Sequence, residues 1–597
     1  MKKFWKMVLA SALGILIASI ALTILSIGFV GAIAGSGKTT PVVPQNAVLT
    51  IDLATMTVAE QTLEDNPFEG MTMGTGGFNM NEITTIGILD AVDALKKAAE
   101  DPCVKMVYLR PDYASGIAHM EELRAGLQQF RASGKPVIAY VENPTNGGMY
   151  LGSVADRTYM ADFTGGVNSM IGLSGQLTFY KDLLDKLGIN IQLIRHGKFK
   201  SAGEGFIRNS ASEENLMQNR VMIGSIWNSM TKGIVEENES LSAEKLNKMI
   251  DNLEFVTAQD FEHAGLADEV VSRERMKQIL CESAGCDALE EIPAISLPDY
   301  ATATLSTDYK IKDKIAVIYA DGDIVDGSDI ENVSGKRFAD MICEVKADSS
   351  VKAVVLRVNS PGGSVIAATQ IKEAIDELQK VKPVVASYGE YAASGGYWIS
   401  AGCERIFSDE TTLTGSIGVF GIFPDFGKTV KDIAHVNITA VPTNKHSDMF
   451  SMMRPLDKDE SAYLQKDIEE VYTRFTSLVA RGRDMSVESV DKLGQGRVWA
   501  GSDALQNGLV DEIGGLSDAI EYAASLCGCA QWRVEGYPQP LDMMEQMMMM
   551  FQQNSDKQDE LVSIKGVGAS TIKALRRLCE MDKPAVMARM PYEIAIR

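Results

Sequence analysis

Little in this sequence suits metal or nucleic-acid chemistry. The 597 residues include only 8 cysteines and 5 histidines, and 57 basic residues stand against 80 acidic ones, a net charge of −23. Phosphate neutralisation needs clustered Lys and Arg, so nucleic acid is excluded as a partner and the charge reads as a solvated acidic surface. Cys527-Gly-Cys529 is the one tight cysteine pair, and it lacks a second ligand pair at zinc-finger spacing. No metal site and no cofactor is expected. Disulfides stay open to any part of the chain that lies outside the cytoplasm. The five histidines, His119, His196, His263, His435 and His446, have no context that marks a Ser–His–Asp triad.

What is present begins at the N-terminus. Lys2, Lys3 and Lys6 precede an uncharged, mostly apolar run from Met7 to Gly35. As a helix that run is long enough to cross a hydrocarbon core of about 30 Å, whereas a cleaved signal peptide has a shorter apolar stretch of about 7–15 residues. Residues 1–35 are therefore expected to form a membrane anchor. A cleavage site at Ala32-Ile-Ala34 is the alternative. The lysines would stay cytoplasmic, which places the rest of the chain across the membrane, after a linker at 36–45. Gly37-Lys-Thr39 has Ala32 where a phosphate loop needs its first glycine, and no strand precedes it.

The remainder repeats itself. Lys105-Met-Val-Tyr-Leu-Arg110 matches Lys352-Ala-Val-Val-Leu-Arg357 at an offset of 247 residues. The same offset aligns Lys135-Pro-Val-Ile-Ala139 with Lys382-Pro-Val-Val-Ala386, and Tyr150 with Tyr397. A register shifted by four pairs Gly265-Leu-Ala-Asp-Glu269 with Gly508-Leu-Val-Asp-Glu512. Two copies of one fold are expected, at 46–300 and 310–535, with a C-terminal extension at 536–597 that includes the run Met547–Met550. Ala353–Val358 reads as a buried strand, Val365–Gln379 as a helix and Val384–Ala386 as the next strand. Longer helices are expected at Asp457–Arg481 and Glu213–Glu237. Alternating strands and helices indicate an α/β class with a mainly parallel sheet.

Chemistry concentrates in the second copy. Arg357-Val-Asn-Ser-Pro-Gly-Gly-Ser364 ends a strand on two glycines, which let backbone amides approach a developing negative charge. Farther on, Gly389-Glu-Tyr-Ala-Ala-Ser-Gly-Gly-Tyr397 places Ser394 at a strand-to-helix junction. An N-cap serine would look the same. The repeat tilts this choice: Ser394 corresponds to Gly147 in the first copy, while Lys200 of the first copy corresponds to Ser447 in the second. Each copy thus holds a candidate the other lacks, which one shared active site would explain, as would degeneration of unused sites. A serine hydroxyl needs a base, and lysine serves when burial leaves it neutral. Lys200 follows the β-like Ile191–Ile194 and precedes small residues, a half-buried setting. Lys198 is its rival, and spacing does not separate them.

In their order, the membrane anchor, Lys-Phe-Lys-Ser-Ala, Arg-Val-Asn-Ser-Pro-Gly-Gly, Tyr-Ala-Ala-Ser-Gly-Gly-Tyr and Thr-Gly-Ser-Ile-Gly closely resemble the long bacterial signal peptide peptidase A (protease IV) family. The resemblance spans nearly the whole chain up to about residue 540. It implies an α/β ClpP/crotonase-like fold in two tandem related domains after an N-terminal transmembrane helix. It also implies a homotetramer facing the periplasm from the bacterial inner membrane, which cleaves signal peptides and other apolar extended peptides. Carried over by motif, the nucleophile falls on Ser394 and the lysine before Ser-Ala on Lys200. The oxyanion donors fall on the amides of Gly363, Gly362 and Gly395, and Ser416 orients the lysine. Gly496–Gly501 matches a structural motif. Gly203-Glu-Gly205 departs from the family pattern, which puts the local loop in question. Two rivals differ in class: an acyl-CoA enzyme of crotonase type, and a non-catalytic membrane scaffold.

Overall fold

The computed structural model describes residues 40–62, 83–539 except 115, 164, 165, 167, 237, 239 and 331, and 586–590. The expected anchor at 1–35, most of the linker and the run Met547–Met550 lie outside these residues. Among the described residues no helix is long and apolar enough to cross a membrane.

Two parallel sheets follow one strand order. The first runs Glu269–Val270, Arg157–Met160, Val137–Val141, Val104–Arg110, Ala47–Asp52, Ala294–Ser296. The second runs Glu512–Ile513, Ile406–Ser408, Val384–Ala393, Val351–Ser360, Lys314–Asp321, Arg533–Tyr537, and adds a branch in which Leu413–Gly415 pairs with Val384–Ala393 and, antiparallel, with Val498–Ala500. Val104 and Val351 open equivalent strands at the offset read from the sequence, as do Val137 and Val384. Both faces of such sheets are covered, which explains near-continuous apolar runs such as Ala353-Val-Val-Leu356. The helix Val365–Gln379 has the bounds expected for it. The long helices occupy Lys458–Gly482 and Glu213–Val235. Asp457, expected inside the first of these, instead caps it: its carboxylate accepts from the Glu460 amide in a capping box. Helices Ile88–Glu100, Ile117–Ala132 and Leu516–Cys527 fill one core together with residues from both sheets, among them Leu49, Val107, Val317 and Val355. Cys281 and Cys286, a pair the spacing did not single out, form a disulfide.

A third sheet joins the copies. Its order is Val333–Ser334, Ile324–Val325, Gly362–Ser364, Val586–Arg589, Val419–Asp425, Asn190–His196. Asn190–His196, from the first copy, pairs antiparallel with Val419–Asp425 of the second, from Asn190 opposite Asp425 to His196 opposite Val419. Two expectations need correction. Arg533–Tyr537 straddles the expected boundary at 535. Part of the C-terminal extension, Val586–Arg589, is an interior strand of the third sheet; four residues reading Val-Met-Ala-Arg show too little periodicity to reveal it.

The copies also meet through buried charge. Arg357 is 1% exposed; its Nε donates to Glu60 at 2.6 Å and its Nη2 to Glu122 at 2.7 Å, while Nη1 reaches the Ser387 hydroxyl and Tyr388 carbonyl. Burial alone would raise the pKa of Glu60, yet Arg357 and His119 beside it bring it down to about 2. Removing one partner of such a cluster strands the others, which costs about 3–5 kcal/mol. Arg357→Met should therefore lower the thermal midpoint sharply at neutral pH. Glu60 titrates lower in the fold than its ordinary 4.5, so its contribution is complete above that value and is lost as pH falls through about 2. The acid limb of a stability–pH curve should flatten in the variant, a change that denaturant melts between these values would read.

Candidate active site

Ser394 stands where the strand Val384–Ala393 runs out past its neighbour Ile406–Ser408 and pairs with Leu413–Gly415 instead. Small residues on both sides let the chain turn sharply. At φ 56° and ψ −108° the serine sits in a region that non-glycine residues rarely occupy, a strain of about 1–3 kcal/mol. Two backbone bonds hold it, from its own amide to the Gly415 carbonyl and from the Trp398 amide to its carbonyl, each 2.8 Å. Ser394 occupies the N-cap of helix Gly395–Ser400, but its hydroxyl makes no capping bond. In the first copy the equivalent turn is an ordinary cap, in which Thr145 accepts from the Gly148 amide at 2.9 Å.

The cross-copy pairing of Asn190–His196 delivers Lys200 to this serine. Lys200 Nζ lies 2.8 Å from Ser394 Oγ, 2.9 Å from Ser416 Oγ and 3.0 Å from the Ser416 carbonyl oxygen. The sequence suggested half-burial; the side chain is in fact fully buried, as is Ser394. Burial, with no carboxylate among its bonds, holds the Lys200 pKa well below its ordinary 10.5. A neutral amine has two N–H bonds and one lone pair. The carbonyl and hydroxyl of Ser416 can take both N–H bonds, which leaves the lone pair for the Ser394 O–H. Lys198 is exposed, and Ser447, the counterpart of Lys200, is an exposed turn residue bonded to the Asn444 carbonyl.

The lysine is packed into place by groups that the motifs did not flag as functional. A methyl at Gly496 would come within 2.5 Å of Lys200 Cβ, and one at Gly418 within 3.2 Å of its Cδ. Gln218, on the buried face of Glu213–Val235, donates to the Phe199 carbonyl at 3.1 Å and the Ser201 hydroxyl at 2.9 Å. Its only sequence signal is an amide on the buried side of an amphipathic helix. Arg195 donates to the Lys200 carbonyl at 2.6 Å and to Glu204 at 3.2 Å. The departure Gly203-Glu-Gly205 now has a cause. Glu204 is 1% exposed and accepts from Ser212 and Asn215, and side chains at Gly203 or Gly205 would strike Leu193 or the Thr178 carbonyl.

Gly362, Gly363 and Gly395 converge beside Ser394. A methyl on Gly395 would lie 3.0 Å from Gly362 Cα and 3.1 Å from the Gly363 nitrogen. Gly395 opens its helix, where an amide has no intrahelical acceptor. Of the three expected oxyanion donors, Gly362 has its N–H engaged within the fold: it donates to Ser360 Oγ at 3.2 Å, at a turn with φ 97°. The histidines are engaged elsewhere. His119 bonds Glu60, His196 bonds Glu469 and His446 bonds Glu460, while His263 and His435 are exposed. His446, Asp457 and Glu460 bring three possible metal-ligand atoms together, but Arg454 already bonds Glu460.

The sequence matches peptidase family S49 over residues 129–287 and 376–529, and the Clp protease family over 306–412. It is 37% identical over 454 residues to Protease 4 of Haemophilus influenzae, covering 74% of this chain and 73% of that one. It is 35% identical over 487 residues to Protease 4 of Salmonella typhi, covering 79% and 78%. A chloroplastic serine protease SPPA of Arabidopsis thaliana is 31% identical over 437 residues, 72% of this chain and 64% of that one.

A lysine held below its ordinary pKa opposes folding wherever the unfolded chain binds the extra proton. Stability should rise with pH from the depressed folded value of Lys200 up to 10.5. Lys200→Met should therefore raise the thermal midpoint at neutral pH, and the gain should shrink as pH approaches 10.5. An unchanged or lower midpoint at neutral pH would count against a neutral lysine in this pocket.

Proposed function

Since the chain belongs to peptidase family S49, with the two-repeat organisation of the Protease 4 type, and is a serine protease of ClpP-like α/β fold, we propose that it cleaves apolar extended peptides with a Ser394–Lys200 dyad. The observation that carries this reading is the 2.8 Å contact between a fully buried lysine nitrogen and a serine oxygen that does not cap its helix. In the proposed reaction neutral Lys200 takes the Ser394 proton as the serine oxygen attacks the scissile carbonyl. The amides of Gly363 and Gly395 receive the developing oxyanion, each worth about 3–4 kcal/mol by the loss seen when one such donor is removed. Protonated Lys200 then hands its proton to the leaving amine, and water, activated by the same lysine, releases the acyl fragment. Ser416 keeps the amine aimed at Ser394 throughout.

The wider setting belongs to the same proposal. The apolar run within residues 1–35 would anchor the protein in the bacterial inner membrane, with the catalytic part on the periplasmic side and the assembly a homotetramer. Signal peptides left in the membrane would then be the substrates at hand. An acyl-CoA enzyme, the rival from the crotonase side, would have no need of the Ser394–Lys200 contact.

Purified full-length protein should hydrolyse a fluorogenic apolar peptide and react with a fluorophosphonate at Ser394. Ser394→Ala should abolish both. Lys200→Ala should lower kcat by about 10²–10⁴-fold, the range for loss of a general base. In the parent, kcat/KM should rise with pH as Lys200 loses its proton and level off below 10.5. Full activity in Lys200→Ala would sink the dyad.

A further inference from the structure

Two helices at equivalent places in the copies end alike. At the register that pairs Gly265 with Gly508, the helix Arg273–Ala284 falls on Leu516–Cys527, and the Gly285-Cys286 after the first falls on the Gly528-Cys529 after the second. Both glycines take the left-handed conformation that closes a helix, at φ 76° and 64°. The turn folds the next cysteine back over the helix end. The Cys286 amide donates to the Cys281 carbonyl at 3.1 Å, and the Cys529 amide to the Ala524 carbonyl at 3.4 Å. In the first copy Cys286 is bonded to Cys281. In the second, Ala524 stands at that place, and the other sulfur comes from Cys527, whose own counterpart is Ala284. A partner for the cysteine after the glycine thus recurs in both copies, from different positions.

The Cys527 and Cys529 sulfurs face each other at 2.6 Å. Both side chains are partly exposed, whereas Cys281 is buried. Cys527 also packs on the core shared by the two sheets, and its S–H donates to the Ala524 carbonyl at 3.2 Å. Three observations narrow what such a pair can do. A metal would need more ligands, and among the described residues the one group of three candidate ligands lies elsewhere, at His446, Asp457 and Glu460. A bridge that closes only Cys527-Gly-Cys529 removes little entropy from the unfolded chain, so it would be a weak staple. Burial, then the Cys527 sulfur beside it, raises the Cys529 thiol above its ordinary 9.0, with Asp313 adding to the rise and Lys352 opposing it. A lone thiolate at Cys529 is therefore disfavoured.

We propose that Cys527 and Cys529 form an exchangeable dithiol–disulfide site, oxidised and reduced by thiol–disulfide partners. In the exchange, one cysteine thiolate attacks a sulfur of the incoming disulfide, forms a mixed disulfide and releases half of the partner as a thiol. The other cysteine attacks the mixed disulfide, closes the Cys527–Cys529 bond and releases the second half. Two electrons pass from the pair to the incoming disulfide, and the pair's two protons end on the released thiols. Closure takes the Cys527 S–H away from the Ala524 carbonyl, which keeps the Cys529 amide as its donor. Exposed bridges are easier to reduce than buried ones, so this site exchanges under conditions that leave Cys281–Cys286 closed. The chemistry is independent of the Ser394–Lys200 dyad.

The test uses full-length protein equilibrated in buffers of glutathione and glutathione disulfide, quenched in acid and alkylated before and after reduction. Peptide mass spectrometry then reads each cysteine separately. Cys527 and Cys529 should open and close together as one internal disulfide. Their half-reduction should come at a ratio of squared glutathione to glutathione disulfide at least about tenfold lower than that of Cys281–Cys286. Gly528→Val has open space for its side chain and disturbs only the left-handed turn, so it should shift the pair toward the dithiol by about tenfold. Cys527→Ser should leave Cys529 carrying a single glutathione, and Cys529→Ser should do the same for Cys527, with thermal melts confirming that the variants fold. The proposal is overturned if, in excess glutathione disulfide, both cysteines of the parent stay thiols or carry glutathione separately. It is overturned equally if their bridge opens only where Cys281–Cys286 does.

Discussion

One backbone ladder organises the chemistry of this molecule. Asn190–His196 of the first copy pairs along its length with Val419–Asp425 of the second, and this pairing sets Lys200 against Ser394. Everything else at the site adjusts to that placement. A side chain at Gly496 would strike Lys200, and one at Gly418 would strike the Gly496 backbone that packs against the lysine. Ser416, just ahead of the paired strand, meets the amine with both its carbonyl and its hydroxyl. The shared core between the parallel sheets and the Arg357–Glu60–Glu122 cluster then hold the two copies in one register.

The arrangement stores free energy in two places. Ser394 is held in a strained backbone conformation, and Lys200 is held without a countercharge. Neither would persist on a flexible loop. The serine is fixed by bonds on both sides of its own peptide units, and the lysine by Gln218, Arg195 and the Gln495 carbonyl, which accepts from the Phe199 amide at 2.9 Å. The buried Glu204 carries the same support outward to the start of the helix Glu213–Val235.

Much of this was legible in the sequence. Internal repetition located the equivalent strands at Val104 and Val351, and the asymmetry of Ser394 against Gly147 and Lys200 against Ser447 pointed to one site made from two copies. Helix bounds followed from apolar spacing and the Lys382-Pro383 stop. What stayed hidden has a common cause. Choosing Lys200 over Lys198 by residues alone fails because both follow the same strand, and only the packing of Gly496 decides which is buried. The amide of Gly362 looked equivalent to that of Gly363 until the Ser360 hydroxyl claimed it. The strand at 586–589 is too short to carry a period, and its pairing partners lie more than a hundred residues away in sequence. Non-local contacts of this kind leave no local trace.

The same non-locality bears on time. The third sheet draws on segments near 190, 324, 362, 420 and 586, so it closes over long loops and needs both copies and the C-terminal extension to be complete. Long loops are slow to close, and domains fold in the order in which they emerge during synthesis. A first copy that folds early carries Lys200 with no Ser394 beside it. If the proposed dyad is the active site, the protein has no means of attacking itself or its neighbours until the chain has grown past Asp425.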